Sequence, residues 1–169
     1  FLSYALGKEL HELGLFDEAF AAFARGATAR RRSLRYDVAM DEDKMRRIAA
    51  AFGSASRPSP QEPAGRHIFI IGLPRSGTTL TERILGGLPD VRSNNETNNF
   101  SSALLRHAPA VGGDVFERAA KADFAAVARE YEDLAGGDDY PGPIIEKLPF
   151  NYLYIGAILR AFPQTPIVW

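Results

Sequence analysis

One stretch of the chain constrains its fold more than any other, because a buried-strand pattern turns through glycine and proline directly into a helix pattern. It reads Ile68-Phe-Ile-Ile-Gly-Leu-Pro-Arg-Ser-Gly-Thr-Thr-Leu80. A glycine-punctuated turn of this kind points successive backbone N–H groups at one spot, and the positive end of the helix dipole adds to their attraction for an anion. The stretch therefore predicts a phosphate-binding loop.

The loop differs from the ATP-binding pattern G-x-x-x-x-G-K-[ST] at one position. Gly72 and Gly77 keep the glycine spacing, but Thr78 stands where that pattern has its lysine. The usual lysine contact to the β and γ phosphates is therefore missing. The hydroxyls of Thr78 and Thr79 remain as donors, and Arg75 is the only charged group inside the loop. This argues against a P-loop kinase or another nucleoside-triphosphate enzyme, which we keep as an alternative.

Strand and helix patterns alternate from Arg66 onward. We predict strands over about 67–72, 143–147 and 166–169, and helices from about 78 to 88, within 97–107, over 114–136 and over 151–162. Asp114 and Glu117 form a capping-box pattern at the start of one helix, and Asn151 is expected to cap another. The alternation predicts an α/β fold with a parallel sheet flanked by helices, in which ligands lie beyond the carboxyl ends of the strands.

The first part of the chain has a helical pattern that resembles one tetratricopeptide repeat. The small and large residues that match the interlocking positions of such a repeat are Leu6, Gly7, Leu10, Gly14, Ala19, Phe23 and Ala27. Asp17 is expected to cap the second helix, and a third helix is predicted from the spacing of Met45, Ile48, Ala49 and Phe52. We predict a helical region over 1–53, a linker over 54–66 and further repeats before Phe1.

Three motifs follow one another at compatible spacings in the second part of the chain. They are Pro74-Arg-Ser-Gly-Thr-Thr-Leu80, Leu88-Pro-Asp-Val-Arg-Ser-Asn-Asn-Glu-Thr97 and Ile145-Glu-Lys-Leu-Pro-Phe-Asn151. Together they resemble the sulfotransferases that use 3'-phosphoadenosine 5'-phosphosulfate (PAPS), in particular the tyrosylprotein sulfotransferases and their bacterial relatives. The resemblance implies that residues 67–169 form the N-terminal part of a P-loop sulfotransferase domain.

The resemblance also implies the roles of individual residues. The loop that would hold the 5'-phosphate of PAPS consists of Arg75, Ser76, Gly77, Thr78, Thr79 and Leu80. Arg75 and Lys147 would neutralise the transferred group, and Glu96 would accept the proton of the acceptor hydroxyl. PAPS is then the co-substrate, and no metal is required because a sulfuryl group carries less charge than a phosphoryl group. We expect Glu96 to be partly buried, since a carboxylate in water is a weak base toward a hydroxyl.

Alternatives remain open at this stage. Glu96 could be an acidic residue at a helix N-terminus, Lys147 a solvated residue at a strand end, and His107 a different base. The acceptor could be a protein tyrosine, a carbohydrate or a small molecule. A third class of function, beside the sulfotransferase and the kinase, is a non-enzymatic scaffold that binds a protein partner through its helical repeats.

Composition limits the partners. The net charge of −1 provides no overall attraction for nucleic acid or acidic membranes. No apolar run approaches the ~18–20 residues of a membrane span, and the absence of cysteine agrees with a reducing compartment, so we expect a cytoplasmic protein. The chain starts at Phe1 and stops at Trp169 inside a strand pattern. The resemblance to the PAPS-dependent sulfotransferases then implies a fragment that lacks the 3'-phosphate-binding residues, which would lie beyond residue 169, and we expect it to be inactive alone.

Overall fold

The computed structural model describes residues 1–53, 65–136 and 140–169. These residues form two compact units, Phe1–Glu42 and Asp43–Trp169. Helix α3 (Val38–Phe52) begins in the first unit and ends in the second. The linker predicted over 54–66 lies outside the described residues except for Gly65 and Arg66.

The first unit is a pair of helices, α1 (Leu2–Glu12) and α2 (Phe16–Ser33), followed by the start of α3. Small residues let the two helices approach closely. A Cβ atom on Gly7 of α1 would lie only 2.7 Å from the ring of Phe23 on α2. The predicted helix pair is therefore present, while its assignment to the tetratricopeptide class stays a prediction.

Two details of this helix pair differ from the expectations. Gly26, rather than Ala27, is the buried small residue near the end of α2. Leu15 occupies the N-cap position of α2, and Asp17 lies in the first helical turn without a capping hydrogen bond. An acidic side chain at that place still interacts favourably with the helix dipole, which explains why the sequence pattern suggested a cap.

The second unit contains a sheet of four parallel strands in the order β2-β3-β1-β4. The strands are β1 (His67–Ile70), β2 (Arg92–Ser93), β3 (Ile144–Lys147) and β4 (Ile167–Val168). Ile70 at the end of β1 is in register with Lys147 at the end of β3. The predicted α/β fold with a parallel sheet is confirmed, and β2 is an additional strand that the sequence did not indicate.

Helices cover this sheet and supply its apolar core. They are α4 (Thr78–Leu85), α5 (Asn99–His107), α6 (Val115–Ala119), α7 (Phe124–Ala135), the 3-10 helix Pro149–Tyr154 and α8 (Ile155–Ala161). The ring of Phe69 on β1 lies 5.6 Å from both Phe100 of α5 and Tyr131 of α7, measured between centroids. All three rings are fully buried. This aromatic cluster fixes α5 and α7 against the sheet.

The helix predicted over 114–136 is instead two helices, α6 and α7. The predicted capping box is confirmed, because Asp114 accepts from the backbone N–H of Glu117 and the Glu117 carboxylate accepts from that of Asp114. Asp123 then starts α7, where its carboxylate accepts from the N–H of Ala126 at 3.0 Å. A second capping residue therefore divides the apolar stripe. Gly136 ends α7 in the left-handed conformation, and Gly137 lies outside the described residues.

Asn151 does not cap a helix, as the sequence had suggested. It is buried inside the 3-10 helix Pro149–Tyr154, which precedes α8. Pro149 sits at the first turn of that 3-10 helix, where its missing N–H costs nothing. The tight turn brings the segment after β3 back toward the sheet, and this placement shapes the site described below.

A buried glutamate lies in the middle of this core. Glu146 of β3 is fully buried, and its Oε2 accepts hydrogen bonds from the hydroxyls of Thr97 at 3.0 Å and Tyr131 at 3.3 Å. Burial raises the pKa of Glu146 above its usual range, although these hydrogen bonds oppose the shift. Because the pKa of the folded form is raised, the protonated residue stabilises the fold below the unfolded-state pKa. That contribution is lost as the pH rises through the folded-state pKa.

Glu146→Gln is therefore expected to change how stability depends on pH. Glutamine can accept the same two hydrogen bonds but does not ionise, so the variant should gain stability relative to the wild type as the pH rises above about 4.5, the ordinary glutamate value. Urea unfolding at several pH values measures the difference. A constant difference between the two proteins from acidic to neutral pH would contradict the assignment.

Candidate functional site

The predicted phosphate-binding loop connects β1 to α4. Gly72 has φ +153°, and a Cβ atom there would lie 2.8 Å from the Ser76 hydroxyl oxygen. Gly77 has φ +96° and is the N-cap residue of α4. The N–H of Gly72 donates to the carbonyl of Pro149 at 3.2 Å. Two glycines thus allow the loop its tight path, and this hydrogen bond ties it to the segment after β3.

The backbone donors of the loop are divided between internal bonds and open positions. Ser76 N–H donates to the Leu73 carbonyl at 3.2 Å, and Leu80 N–H donates to the Gly77 carbonyl at 2.9 Å. Helix α4 begins at Thr78, and the first N–H groups of a helix have no acceptor within it. Among the open donors of this loop are the N–H groups of Arg75, Gly77, Thr78 and Thr79, which have no acceptor among the described residues.

Arg75 is the charged residue of the loop. Its backbone is in the left-handed region with φ +71°, and its side chain is exposed. It forms no ion pair with any residue in the described part of the chain. A non-glycine residue in this conformation costs of order 1 kcal/mol or more. Such strain is common at ligand sites, and here it accompanies an arginine that is available to an anion.

A cavity of about 410 Å³ lies against the loop. Its walls are Pro74, Arg75, Gly77, Thr78, Thr79, Glu96, Leu148, Pro149 and Phe150. The structure therefore brings Glu96 next to the loop although the two are separate in sequence. A neighbouring cavity of about 430 Å³ is lined by Lys147 together with Thr79, Glu82 and Ser93, among others. Thr79 lines both cavities, so most of the predicted site residues lie at one edge of the sheet. Ser76 and Leu80 line neither cavity.

Lys147 lies between two carboxylates at the end of β3. Its Nζ is 2.5 Å from Glu96 Oε1 and 3.3 Å from Glu82 Oε2, and its side chain is only 5% exposed. Burial alone would lower the pKa of Lys147, but the hydrogen bonds and charges of Glu96 and Glu82 outweigh it, so the pKa is raised. Lys147 is therefore a fixed positive charge, not the solvated strand-end lysine that was the alternative.

Glu96 lies on a turn that follows β2. The N–H of Asn94 donates to the Ile145 carbonyl at 3.0 Å, and Asn95 has a left-handed backbone with φ +60°. This turn holds Glu96 at the rim, where its side chain is 57% exposed. The partial burial expected from the sequence was therefore wrong. Helix α5 begins only at Asn99, so Glu96 is not in its first turn.

His107, the alternative base, lies elsewhere. It ends α5, and its Nε2 is 2.6 Å from Oε2 of Glu130, which also pairs with Arg106. It lines neither the loop cavity nor the cavity beside Lys147. The structure thus explains His107 as part of a polar cluster with Arg106 and Glu130 between α5 and α7.

Sequence reasoning missed Glu82, which lies inside this site. It belongs to α4, and its side chain is only 9% exposed. One oxygen faces Lys147 Nζ, and the other accepts a hydrogen bond from the Ser93 hydroxyl. The available signal was its position four residues after Thr78, on the inward face of α4, where a charged residue requires partners.

Among the described residues, no cluster of three or more histidine, aspartate or glutamate side chains is placed to hold a metal ion. None of the helices in the described ranges is long and apolar enough to cross a membrane.

Comparison with known proteins gives one family and two relatives. The sequence model described as "Sulfotransferase family" matches residues 67–169. An uncharacterized protein of Aquifex aeolicus is 29% identical over 186 aligned positions, which cover 98% of this chain and 23% of that protein. A Caenorhabditis briggsae protein named "Putative protein-tyrosine sulfotransferase" is 30% identical over 110 positions, which cover 60% of this chain and 37% of that protein. No solved structure matches significantly. The chain thus spans 23% to 37% of the length of these relatives.

Proposed function

Because the chain belongs to the sulfotransferase family, we propose that it transfers a sulfuryl group from PAPS to an acceptor hydroxyl. The observation that carries this proposal is the edge of the sheet where four groups meet. Open backbone donors, an exposed arginine, a rim carboxylate and a buried lysine lie around two adjoining cavities. This set suits the binding of a phosphosulfate and the removal of one proton.

The loop supplies the donors for the 5'-phosphate. The open N–H groups of Arg75, Gly77, Thr78 and Thr79 line one side of the cavity, and the dipole of α4 favours an anion there. The threonine hydroxyls add donors where an ATP-binding loop has its lysine. These groups fit the phosphate of a phosphosulfate, which needs fewer positive charges than a triphosphate.

The chemistry that we assign to this chain is the positioning and neutralisation of an in-line displacement. A bond forms between the acceptor oxygen and sulfur, and the bond between sulfur and the bridging oxygen breaks, which leaves its electron pair on the phosphate. Arg75 and Lys147 neutralise the charge on these oxygens, and Glu96 takes the acceptor proton. Glu96 is placed for this step because its carboxylate is exposed to an incoming acceptor at the rim of the loop cavity, and its bond to Lys147 Nζ, at 2.5 Å, orients it there.

The acceptor that we propose to test first is a protein tyrosine. The name of the Caenorhabditis briggsae relative gives this class of acceptor for that protein. In this chain, the exposed position of Glu96 and the half-exposed ring of Phe150 in the cavity wall suit the phenol of a larger molecule. The helix pair of the first unit would then provide a surface for a protein partner. Carbohydrate and small-molecule hydroxyls are the competing acceptors in the same assay.

Calorimetry tests the donor site directly. In the longest natural form of the protein that contains this chain, we expect binding of 3'-phosphoadenosine 5'-phosphate without a metal ion and weaker binding of Mg-ATP. Arg75→Ala should weaken binding of the first nucleotide by roughly tenfold or more, because it removes a charge-assisted hydrogen bond to phosphate. Arg129→Ala is the matched control, since Arg129 is exposed on α7 and does not line the loop cavity.

The other outcomes of this experiment select the competing functions. Preference for Mg-ATP would overturn the proposal in favour of a P-loop kinase. Binding of neither nucleotide would favour the non-enzymatic scaffold. Equal losses in Arg75→Ala and Arg129→Ala would show that the loop is not the phosphate site.

A further inference from the structure

Two carboxylates share the ammonium group of Lys147, but they differ in exposure. The side chain of Glu82 is 9% exposed, whereas that of Glu96 is 57% exposed. The Glu82 carboxylate is held at both oxygens, by Lys147 Nζ at 3.3 Å and by the Ser93 hydroxyl. Glu82 therefore joins α4, β2 and β3, whereas the contacts that hold Glu96 in the described part of the chain are its turn and its ion pair.

Burial makes the bond between Glu82 and Lys147 obligatory. An ionised carboxylate that is removed from water must be paired and hydrogen-bonded, or it costs several kcal/mol. Within the described part of the chain, Glu82 is bonded to Lys147 and Ser93, and both line the cavity of about 430 Å³ next to the loop cavity. If Lys147 moved away from Glu82, the buried carboxylate of Glu82 would lose its compensating charge. The ammonium group of Lys147 is therefore held next to Glu82.

The bond between Glu96 and Lys147 must weaken during the proposed reaction. When the Glu96 carboxylate takes the acceptor proton it becomes neutral, and its charge attraction to Lys147 disappears. A flexible lysine without another anchor would then be free to leave the cavity. Glu82 takes no part in that proton transfer and keeps its charge.

We propose that Glu82 is a positioning residue that holds Lys147 at the reacting group while Glu96 gains a proton. This inference rests on the proposed sulfuryl transfer, because Glu82 acts through Lys147 and contacts no substrate. It accounts for a buried glutamate on the helix that follows a phosphate-binding loop, a place where an anion would otherwise oppose phosphate binding.

The pKa of Lys147 is a quantity that would not change if Glu82 had a purely structural role. The charged groups around it are Glu82 from α4, Glu96 from the turn after β2, and Arg83, which lines the same cavity. The two carboxylates raise the pKa of Lys147 against the effect of burial. Removal of the Glu82 charge should therefore lower this pKa, so that Lys147 loses its proton at a lower pH.

Glu82→Gln is the variant that tests the inference, in the longest natural form of the protein. We expect kcat to fall by roughly 10- to 100-fold, because a charge-assisted bond that positions Lys147 is lost, while KM for PAPS changes little. In a plot of kcat against pH, the fall in kcat at alkaline pH (the alkaline limb) should begin at a lower pH in the variant, because the pKa of Lys147 is lower. Ser93→Ala, which frees the other oxygen of Glu82, should change both quantities in the same direction by less.

The control is Glu132→Gln. Glu132 is a partly exposed glutamate whose carboxylate contacts His67, the first residue of β1. It therefore lies near the start of that strand, whereas the loop follows the end of the strand. Glu132→Gln should leave the alkaline limb in place. If Glu82→Gln and Ser93→Ala leave that limb and kcat as they are in the wild type, or if Glu132→Gln shifts the limb equally, the positioning role is wrong.

A titration of the Lys147 side chain by NMR separates this inference from the proposed function. The ¹³Cε signal, assigned by its loss in Lys147→Met, should titrate at lower pH in Glu82→Gln than in the wild type. This measurement needs no turnover. If the wild-type protein transfers no sulfuryl group to any acceptor class, the proposed function fails and the positioning role fails with it. If transfer occurs and the Lys147 titration is unchanged in Glu82→Gln, only the positioning role is overturned.

Discussion

Lys147→Met is expected to reduce sulfuryl transfer by about 10²- to 10³-fold and to destabilise the fold by about 3 to 5 kcal/mol. The loss of turnover follows from the removal of a positive charge beside the transferred group. The loss of stability has a separate cause, because Glu82 would remain buried without its cation. Methionine retains most of the side-chain volume, so a cavity contributes little. Turnover assays and urea unfolding measure the two effects.

The double variant Lys147→Met/Glu82→Gln separates these two effects. It contains no uncompensated buried charge, so it should recover most of the lost stability. Its turnover should stay as low as that of the single variant, because the cation is still missing. If the double variant is as unstable as Lys147→Met, the lost stability comes from packing and not from the charge of Glu82. If it recovers turnover, Lys147 does not act on the transferred group.

The parts of the site that the sequence predicted are those encoded locally. Gly72 and Gly77 lie five residues apart between a strand pattern and a helix pattern, and this local pattern predicts a turn with open N–H groups. The capping box of Asp114 and Glu117 is also local, and it was confirmed. Hydrophobic runs indicated β1 and β3 because buried parallel strands are apolar on both faces. Local signals of this kind were sufficient for the α/β fold.

The parts that the sequence did not reveal depend on contacts between distant residues. β2 contains only Arg92 and Ser93, and it is a strand because it pairs with β3 rather than because of its own propensity. Asp123 divides a continuous apolar stripe into two helices, and its sequence neighbourhood does not distinguish a cap from an exposed acid. The strand β2 and the start of α7 could therefore be identified only from the three-dimensional structure.

The same limit applies to the charges of the site. The resemblance singled out Glu96 and Lys147, but no pattern connects Lys147 to Glu82, because the two lie on different elements that meet at the sheet edge. In the sequence, Glu82 is simply a polar residue in a helix, and such residues are usually exposed. Only the structure shows that Glu82 lies on the buried face of α4. The exposure of Glu96 likewise depends on the turn at Asn95 and not on residue type.

Glu96→Gln is expected to reduce kcat by about 10²- to 10⁴-fold, the range for loss of a general base. Glutamine has the same shape but cannot accept a proton from the acceptor. Because Glu96 is 57% exposed and Lys147 retains its bond to Glu82, the free energy of unfolding should change by less than about 1 kcal/mol. Affinity for 3'-phosphoadenosine 5'-phosphate should stay close to that of the wild type, since the phosphate donors of the loop are unchanged.

A matched control shows whether the effect belongs to this carboxylate. Asp133 is exposed on α7 and forms no ion pair within the described ranges, so Asp133→Asn removes one negative charge away from the loop cavity and should leave kcat unchanged. If Glu96→Gln also leaves kcat unchanged while Lys147→Met does not, Glu96 is not the base. The acceptor proton would then pass to solvent or to the phosphosulfate itself, which the exposed rim of the cavity allows. A large loss in Glu96→Gln at unchanged nucleotide affinity instead assigns the proton to Glu96, because only the step after donor binding is slowed.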